Sequence, residues 1–300
     1  MTILRVGTRG SQLALWQAHE TQRRLRDAGI ESELVIVKTT GDKRQDVSLA
    51  TIGGKGLFVK ELEEALERNE IDIAVHSLKD VPSLIPEHFT LAAFLERADP
   101  RDAWLHVDNK PIDEMPHGAI IGTSAPRRRA QLAQLYPHLK IEEIRGNVDT
   151  RINKARDGQY AGIILANAGL TRLGRASEIT SLFSIDEMCP AAGQGIVAIE
   201  CLASNAFARD AAASINHDAS ARAATIERGV LQKFGTRLDC YSAVAVHCTE
   251  DLTVHAFASD YEGTRAIRIR RSGMSADAVI DAVFDDLVAG GAEELLCAKP

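Results

Sequence analysis

The stretch Ile71-Asp-Ile-Ala-Val-His-Ser-Leu-Lys-Asp-Val-Pro82 decides how the chain is read. Ile71, Ile73 and Val75 alternate with Asp72 and Ala74, the period-2 pattern of a strand. The strand runs into His76-Ser77 and then Lys79-Asp80, and Pro82 biases Val81 towards an extended backbone. A Lys-Asp pair at the carboxyl end of a strand sits where open α/β sheets place their ligands. A solvated pair on a surface turn carries the same letters, so the pair is judged by its surroundings.

Upstream, Ile3 to Val6 predicts a short strand ending in Gly7-Thr-Arg9-Gly-Ser11. Ser11 N-caps a helix running to Asp27, with Gly29 as its stop. Glu33 to Lys38 alternates as a second strand, and a polar loop follows. Gly53-Gly-Lys55-Gly56 opens a helix from Leu57 to Arg68, whose Leu57, Phe58, Leu62, Ala65 and Leu66 share one face. Strand–helix–strand–helix–strand predicts a mainly parallel sheet with helices on both faces. Gly56 follows Lys55 where a P-loop requires Ser or Thr, so this is a loop carrying one useful lysine and not a nucleotide site.

Downstream, Phe89 to Leu95 predicts another strand and Glu96-Arg-Ala-Asp-Pro-Arg-Asp102 a charged connection. A second unit of the same design begins with the strand Ala119 to Gly122. Thr123-Ser124 caps a helix with Pro126, Arg127, Arg128 and Arg129 in its first turn. The strand Lys140 to Ile144 ends in Arg145-Gly146-Asn-Val-Asp-Thr-Arg151, and the strand Tyr160 to Ala166 leads into Gly169-Leu-Thr-Arg172-Leu-Gly174. Cations favour helix C-termini, yet these arginines crowd strand ends and helix starts. Loops on one rigid edge carry binding residues, and arginine suits bidentate recognition of carboxylate or phosphate. Nucleic acid is the weaker target, because no aromatic residues interleave as stacking platforms.

Ile196 to Cys201, after Gly193-Gln194-Gly195, predicts a strand returning to the first sheet. The expected architecture is α/β: two lobes with a cleft between them, plus a small α+β C-terminal domain. The lobes span 1–95 with the return segment 196–215, and 96–195; the third domain spans 216–300. In and before that third domain, Ala203 to Ile215 and Asp218 to Phe234 predict helices, and Val244 to His247, Thr253 to Phe257 and Ala266 to Arg270 predict strands. A helix from Ser275 to Leu287 closes it.

The 300 residues carry 35 basic and 42 acidic side chains, a net charge of −7, which argues against general attraction to nucleic acid or anionic membrane. Five cysteines, an odd number with no CxxC pair, predict neither a disulfide framework nor a metal site and fit a reducing compartment. The N-terminus lacks the regions of a signal peptide, and no apolar run approaches membrane-spanning length. The expectation is a soluble, cytoplasmic monomer without metal.

The motifs Thr8-Arg-Gly-Ser-Gln-Leu-Ala-Leu-Trp-Gln-Ala18, Gly53-Gly-Lys-Gly-Leu-Phe-Val-Lys-Glu61, His76-Ser-Leu-Lys-Asp-Val-Pro82, Gly122-Thr-Ser124, Arg145-Gly-Asn-Val-Asp-Thr-Arg151, Ala168-Gly-Leu-Thr-Arg-Leu-Gly174 and Gly193-Gln-Gly195 occur in this order. Together they resemble the porphobilinogen deaminase (hydroxymethylbilane synthase) family over nearly the whole chain. The resemblance implies two lobes like those of periplasmic binding proteins and a third domain with a cysteine loop. It implies head-to-tail joining of four porphobilinogen molecules into hydroxymethylbilane with release of ammonia, in tetrapyrrole and haem biosynthesis. It implies a dipyrromethane cofactor held by a thioether at Cys240; by the residues alone, Cys248 lies close enough to compete.

By the same resemblance, Asp80 is the catalytic residue, steadying the cation left when ammonia departs and assisting proton movement. Lys79, Asp80, Thr123, Ser124, Arg127, Arg128 and Gly146 bind the cofactor, and Arg9, Ser11, Lys55, Arg145, Arg151, Arg172 and Gln194 bind the carboxylate-rich substrate. Three departures stand out. Leu238-Asp239 replace Gly-Gly before the cysteine, with Ala243 for the following Pro; Ala125-Pro126 replace Ser-Leu; and Thr51 replaces a frequent lysine. A passive receptor for small carboxylates and a paralogue without cofactor are the alternatives, separated from the enzyme by Asp80 and Cys240.

Overall fold

The computed structural model describes residues 3–38, 59–239, 241–273 and 275–297. Its chain divides into two compact units, one of residues 1–98 with 195–224 and one of 99–194 with 225–300.

The first unit opens with β1 (Leu4–Thr8), α1 (Gln12–Asp27) and β2 (Ser32–Ile36). Ser11 caps α1 as expected: its Oγ accepts the Ala14 N–H at 3.3 Å, and the chain leaves the helix through Gly29 at φ +80°, a left-handed conformation that glycine adopts without penalty. Then follow α2 (Lys60–Glu67), β3 (Ile73–Ser77) and β4 (Phe89–Phe94). The strand expected from Ile71 therefore starts later and runs on through His76 and Ser77. Leu62, Ala65 and Leu66 of α2 pack on Ile71, Ala74 and Phe89, so the apolar helix face meets the sheet.

The second unit begins at β5 (Asp102–Leu105), which the charged lettering before it concealed. It continues through β6 (Ile120–Gly122), α3 (Pro126–Leu135), β7 (Lys140–Glu142), α4 (Val148–Arg156), β8 (Gly162–Ala166), the short helix α5 (Asn167–Arg172) and β9 (Ser181–Leu182). The chain then returns as β10 (Val197–Leu202) and α6 (Ala206–Ala213) of the first unit, and α7 (Asp218–Phe234) runs across the division. The remainder is β11 (Ala243–Cys248), β12 (Val254–Ser259), β13 (Ala266–Arg271), α8 (Ala276–Ala289) and α9 (Ala292–Cys297). β11 to β13 form an antiparallel sheet of three strands that groups with the second unit.

The two larger sheets follow one plan. The first has the order β2-β1-β3-β10-β4, with β1 parallel to β2 and β3, and β10 antiparallel to both its neighbours. The second has the order β7-β6-β8-β5-β9, with β6 parallel to β7 and β8, and β5 antiparallel to both its neighbours. In each, three parallel strands joined by helical connections send their carboxyl ends to one edge, the arrangement in which α/β sheets bind ligands. No helix among the described residues is long and apolar enough to cross a membrane.

The second sheet closes around Trp104, which is fully buried in a cluster with Ile121, Leu132 and Ile164 and donates its indole N–H to the Lys110 carbonyl at 2.9 Å. Gly162 exists to let that indole pass: a Cβ there would stand 2.0 Å from Trp104 Cη2 and 2.7 Å from the Leu105 carbonyl oxygen. Gly162→Ala is therefore predicted to cost about 1–3 kcal/mol through overpacking. Urea unfolding measures it, and an unchanged midpoint would show that the indole relaxes freely.

Candidate active site

On the first sheet, β1 and β3 are parallel neighbours with Val6 opposite Ile73 and Gly7 opposite Ala74. Arg9 and Ser11, which follow β1, and Lys79 and Asp80, which follow β3, thus leave the same edge. Lys79 and Asp80 lie in a single 3-10 turn, Leu78–Asp80, and both are half-buried. The turn is pinned on two sides. The Leu78 N–H donates to the Ile196 carbonyl at 3.0 Å, and the Val81 N–H returns to the Leu78 carbonyl at 3.1 Å. One residue earlier, Ser77 Oγ accepts from Gln17 Nε2 of α1 at 2.7 Å. Beneath it, His76 Nε2 and the fully buried Glu200 Oε2 are 2.9 Å apart, a pair that sequence reasoning missed.

On the second sheet, the loops after β6, β7 and β8 share one edge and bring Thr123, Ser124, Arg127, Arg128, Arg145, Gly146, Arg151 and Arg172 to it. Thr123 and Ser124 do not cap α3. Ala125 stands at the N-cap, and no side chain caps the helix. Pro126 takes the first helical position, where its missing N–H costs nothing. Asn147 caps α4 through the Thr150 N–H at 2.9 Å, and Arg151 Nε reaches back to the Gly146 carbonyl at 2.8 Å. Gly146 has φ +115°, and a Cβ there would lie 2.5 Å from Thr150 Cγ2, so no other residue fits the turn. Arg145 pairs with Glu143, and Arg172 closes the last turn of α5 half-buried, where the helix dipole favours a cation.

Arg127 and Arg128 are only 5% exposed and meet around one fully buried carboxylate, Asp102. Arg127 Nη1 donates to Asp102 Oδ2 at 2.6 Å and to the Cys189 carbonyl at 3.0 Å. Its Nη2 donates to Asp102 Oδ1 at 3.2 Å and to Gln194 Oε1 at 3.1 Å. Arg128 donates to Asp102 Oδ1 from Nε at 3.1 Å and from Nη2 at 2.7 Å, and to the Ile164 carbonyl from Nη1 at 3.1 Å. Gln194 Nε2 adds a bond to Asp102 Oδ1 at 2.8 Å and one to the Pro100 carbonyl at 2.6 Å. Burial alone would raise the Asp102 pKa, but the two guanidinium charges prevail and hold it well below the usual carboxylate range. Burial pulls Arg128 down, with Asp102 opposing and the Arg127 charge adding to the fall.

Lys55 and Cys240 lie outside the described residues. On either side of position 240, Asp239 Oδ1 accepts the Tyr241 N–H at 2.9 Å and the Ser242 hydroxyl at 3.2 Å, while Ser242 Oγ accepts the Asp239 N–H at 2.9 Å. Leu238 has φ −83°, and Asp239 is not among the left-handed residues, so the loss of glycines carries no backbone strain there. Among the described residues no cluster of three His, Cys, Asp or Glu side chains suits a metal.

A Lys-Asp turn on one α/β sheet and an arginine-rich edge on another suit a protein that handles small carboxylate-bearing molecules. Residues 4–210 match the family described as "Porphobilinogen deaminase, dipyromethane cofactor binding domain". The porphobilinogen deaminase of Trichlorobacter lovleyi is 46% identical over 300 residues, 98% of this chain and 95% of that protein. Its namesake in Thiobacillus denitrificans is 42% identical over 307 residues, 100% of both chains. Among solved structures, the methionine binding protein MetQ is similar over 74% of this chain and 93% of that one, with a TM-score of 0.47 and 16% identity. The chain belongs to the porphobilinogen deaminase family.

The donor set fits a dipyrromethane. That group presents carboxylates and pyrrole N–H groups, and the second edge offers guanidiniums and the Thr123 and Ser124 hydroxyls.

Asp102 links this edge to stability. Its lowered folded pKa means a contribution fully present above the ordinary aspartate range and lost as pH falls through the folded value. Asp102→Asn is predicted to lose about 3–5 kcal/mol at neutral pH by stripping a buried charge partner. Its acid limb, followed by urea unfolding between neutral pH and pH about 2, should be shallower than the wild type's; parallel curves would mean Asp102 titrates normally.

Proposed function

We propose that the chain is a transferase that joins four porphobilinogen molecules head to tail into hydroxymethylbilane, releasing ammonia, in tetrapyrrole biosynthesis. The supporting observation is family membership over almost the entire chain, combined with an arginine-rich carboxyl edge suited to substrates that bear an acetate and a propionate on each ring. A dipyrromethane, attached by a thioether at Cys240, supplies the pyrrole terminus from which the product grows. The protein works as a cytoplasmic monomer, and residues 216–300 act as its cofactor-bearing domain.

Asp80 carries the chemistry. When the aminomethyl C–N bond of porphobilinogen breaks, the departing amine needs a proton and the carbon left behind is cationic. A half-buried carboxylate on a turn pinned by Leu78 and Val81 is preorganised to face that cation without reorganising. The same carboxylate is suited to moving a proton to the amine, or from the pyrrole carbon that takes up the new bond. Lys79 and the second-edge arginines balance the ring carboxylates. Arg9, Ser11, Lys55, Arg145, Arg151, Arg172 and Gln194 hold substrate, and Thr123, Ser124, Arg127, Arg128 and Gly146 hold the cofactor.

Asp80→Asn keeps the shape and removes the charge, so turnover should fall by about 10²–10⁴-fold while the fold is retained. Product formation assayed alongside circular dichroism tests this, and near-wild-type turnover removes Asp80 from the mechanism. Cys240→Ser should abolish a mass excess equal to two linked pyrroles in the intact protein. A surviving excess moves the anchor elsewhere, and a wild-type chain that never acquires one points to a carboxylate receptor without chemistry.

A further inference from the structure

We propose that Asp102 is a positioning residue for carboxylate recognition, and that the cluster it organises is one anion short of neutral. The inference rests on the reading of Arg127 and Arg128 as carboxylate-binding residues. Both arginines sit in the first turn of α3, where the helix dipole is already positive and no side chain caps the helix. Placing two guanidiniums there, nearly fully buried, is unfavourable unless a negative charge joins them. Asp102 supplies one, and it takes hydrogen bonds from both arginines at once.

The other partners are neutral: the Cys189 and Ile164 carbonyls and the Gln194 amide. The Cys189 thiol adds no anion, since burial pushes its pKa up to about 12. Two cations against one carboxylate leave these three buried side chains with a net charge of +1. Arg127 Nε makes no hydrogen bond to another described residue, and one N–H on each Arg128 Nη is likewise uncommitted. Asp102 thus fixes both forks by one edge and turns the remaining donors over to a ligand's carboxylate. Gln194 holds the carboxylate itself in place through Asp102 Oδ1, which explains a buried glutamine in the turn before β10.

The test uses full-length protein. Asp102→Ala deletes the carboxylate and leaves a formate-sized space, and Asp102→Asn keeps the shape without the charge. Thermal unfolding is compared in sodium formate and in sodium chloride at equal ionic strength, and pyrrole uptake from porphobilinogen is followed by intact mass. The expected result is recovery of Asp102→Ala by formate beyond that by chloride and beyond any effect on wild type. Pyrrole uptake by folded Asp102→Asn should slow about tenfold, and formate should restore part of the rate lost by Asp102→Ala. Formate no better than chloride, or Asp102→Asn loading at the wild-type rate, overturns the proposal. If Asp102→Ala folds in neither salt, the Asp102→Asn uptake rate decides. A wild-type chain that takes up no pyrrole sinks the functional reading alone, and the formate comparison still decides Asp102.

Discussion

The charge cluster of Asp102, Arg127 and Arg128 is the constraint on which the second unit depends. Each of its members would be costly alone: a carboxylate with no exposure, or a guanidinium at the wrong end of a helix. Together they tie the first residue of β5 to the first turn of α3 and, through the Ile164 carbonyl, to β8. Gln194 adds the last turn before the chain leaves the unit. One buried carboxylate therefore sets the register between a strand, a helix and a connection far apart in sequence. Because removing one partner strands the others, the cluster specifies a geometry as well as contributing to stability.

The two large sheets solve the same problem twice. A right-handed strand–helix–strand connection lays parallel strands side by side and sends every following loop to one edge. That is why Arg9, Ser11, Lys79 and Asp80 leave one edge without being neighbours in sequence, and why the arginines after β6, β7 and β8 share another. The antiparallel fourth strand of each sheet closes the pattern and brings in a chain segment from elsewhere: β10 in the first, β5 in the second. Rigid strand ends then hold polar side chains whose own loops are short, which is how a site is kept in register.

Two of the departures from the family pattern sit in a described local setting. Pro126 suits the first helical position of α3, where the backbone lacks a hydrogen-bonding obligation. Asp239 and Ser242 exchange side-chain and backbone hydrogen bonds on either side of position 240.

Much of this was legible in the sequence. Alternation at Ile73 and Val75, the Ser11 cap, the apolar face of α2 and the three C-terminal strands follow from local periodicity and capping, which act within a few residues. The repeated βα pattern further determined that arginine-bearing loops would share an edge. What sequence could not reveal was Asp102. Its charged neighbours, Glu96, Arg97, Asp99 and Arg101, give the look of a solvated connection, yet it begins a buried strand. The His76–Glu200 pair, 124 residues apart, was hidden for the same reason. Periodicity records which residues face a core, but a buried charge is decided by a partner that only chain folding brings near. Local letters set the strands, helices and their order; the tertiary structure alone decided which ionised groups meet out of water.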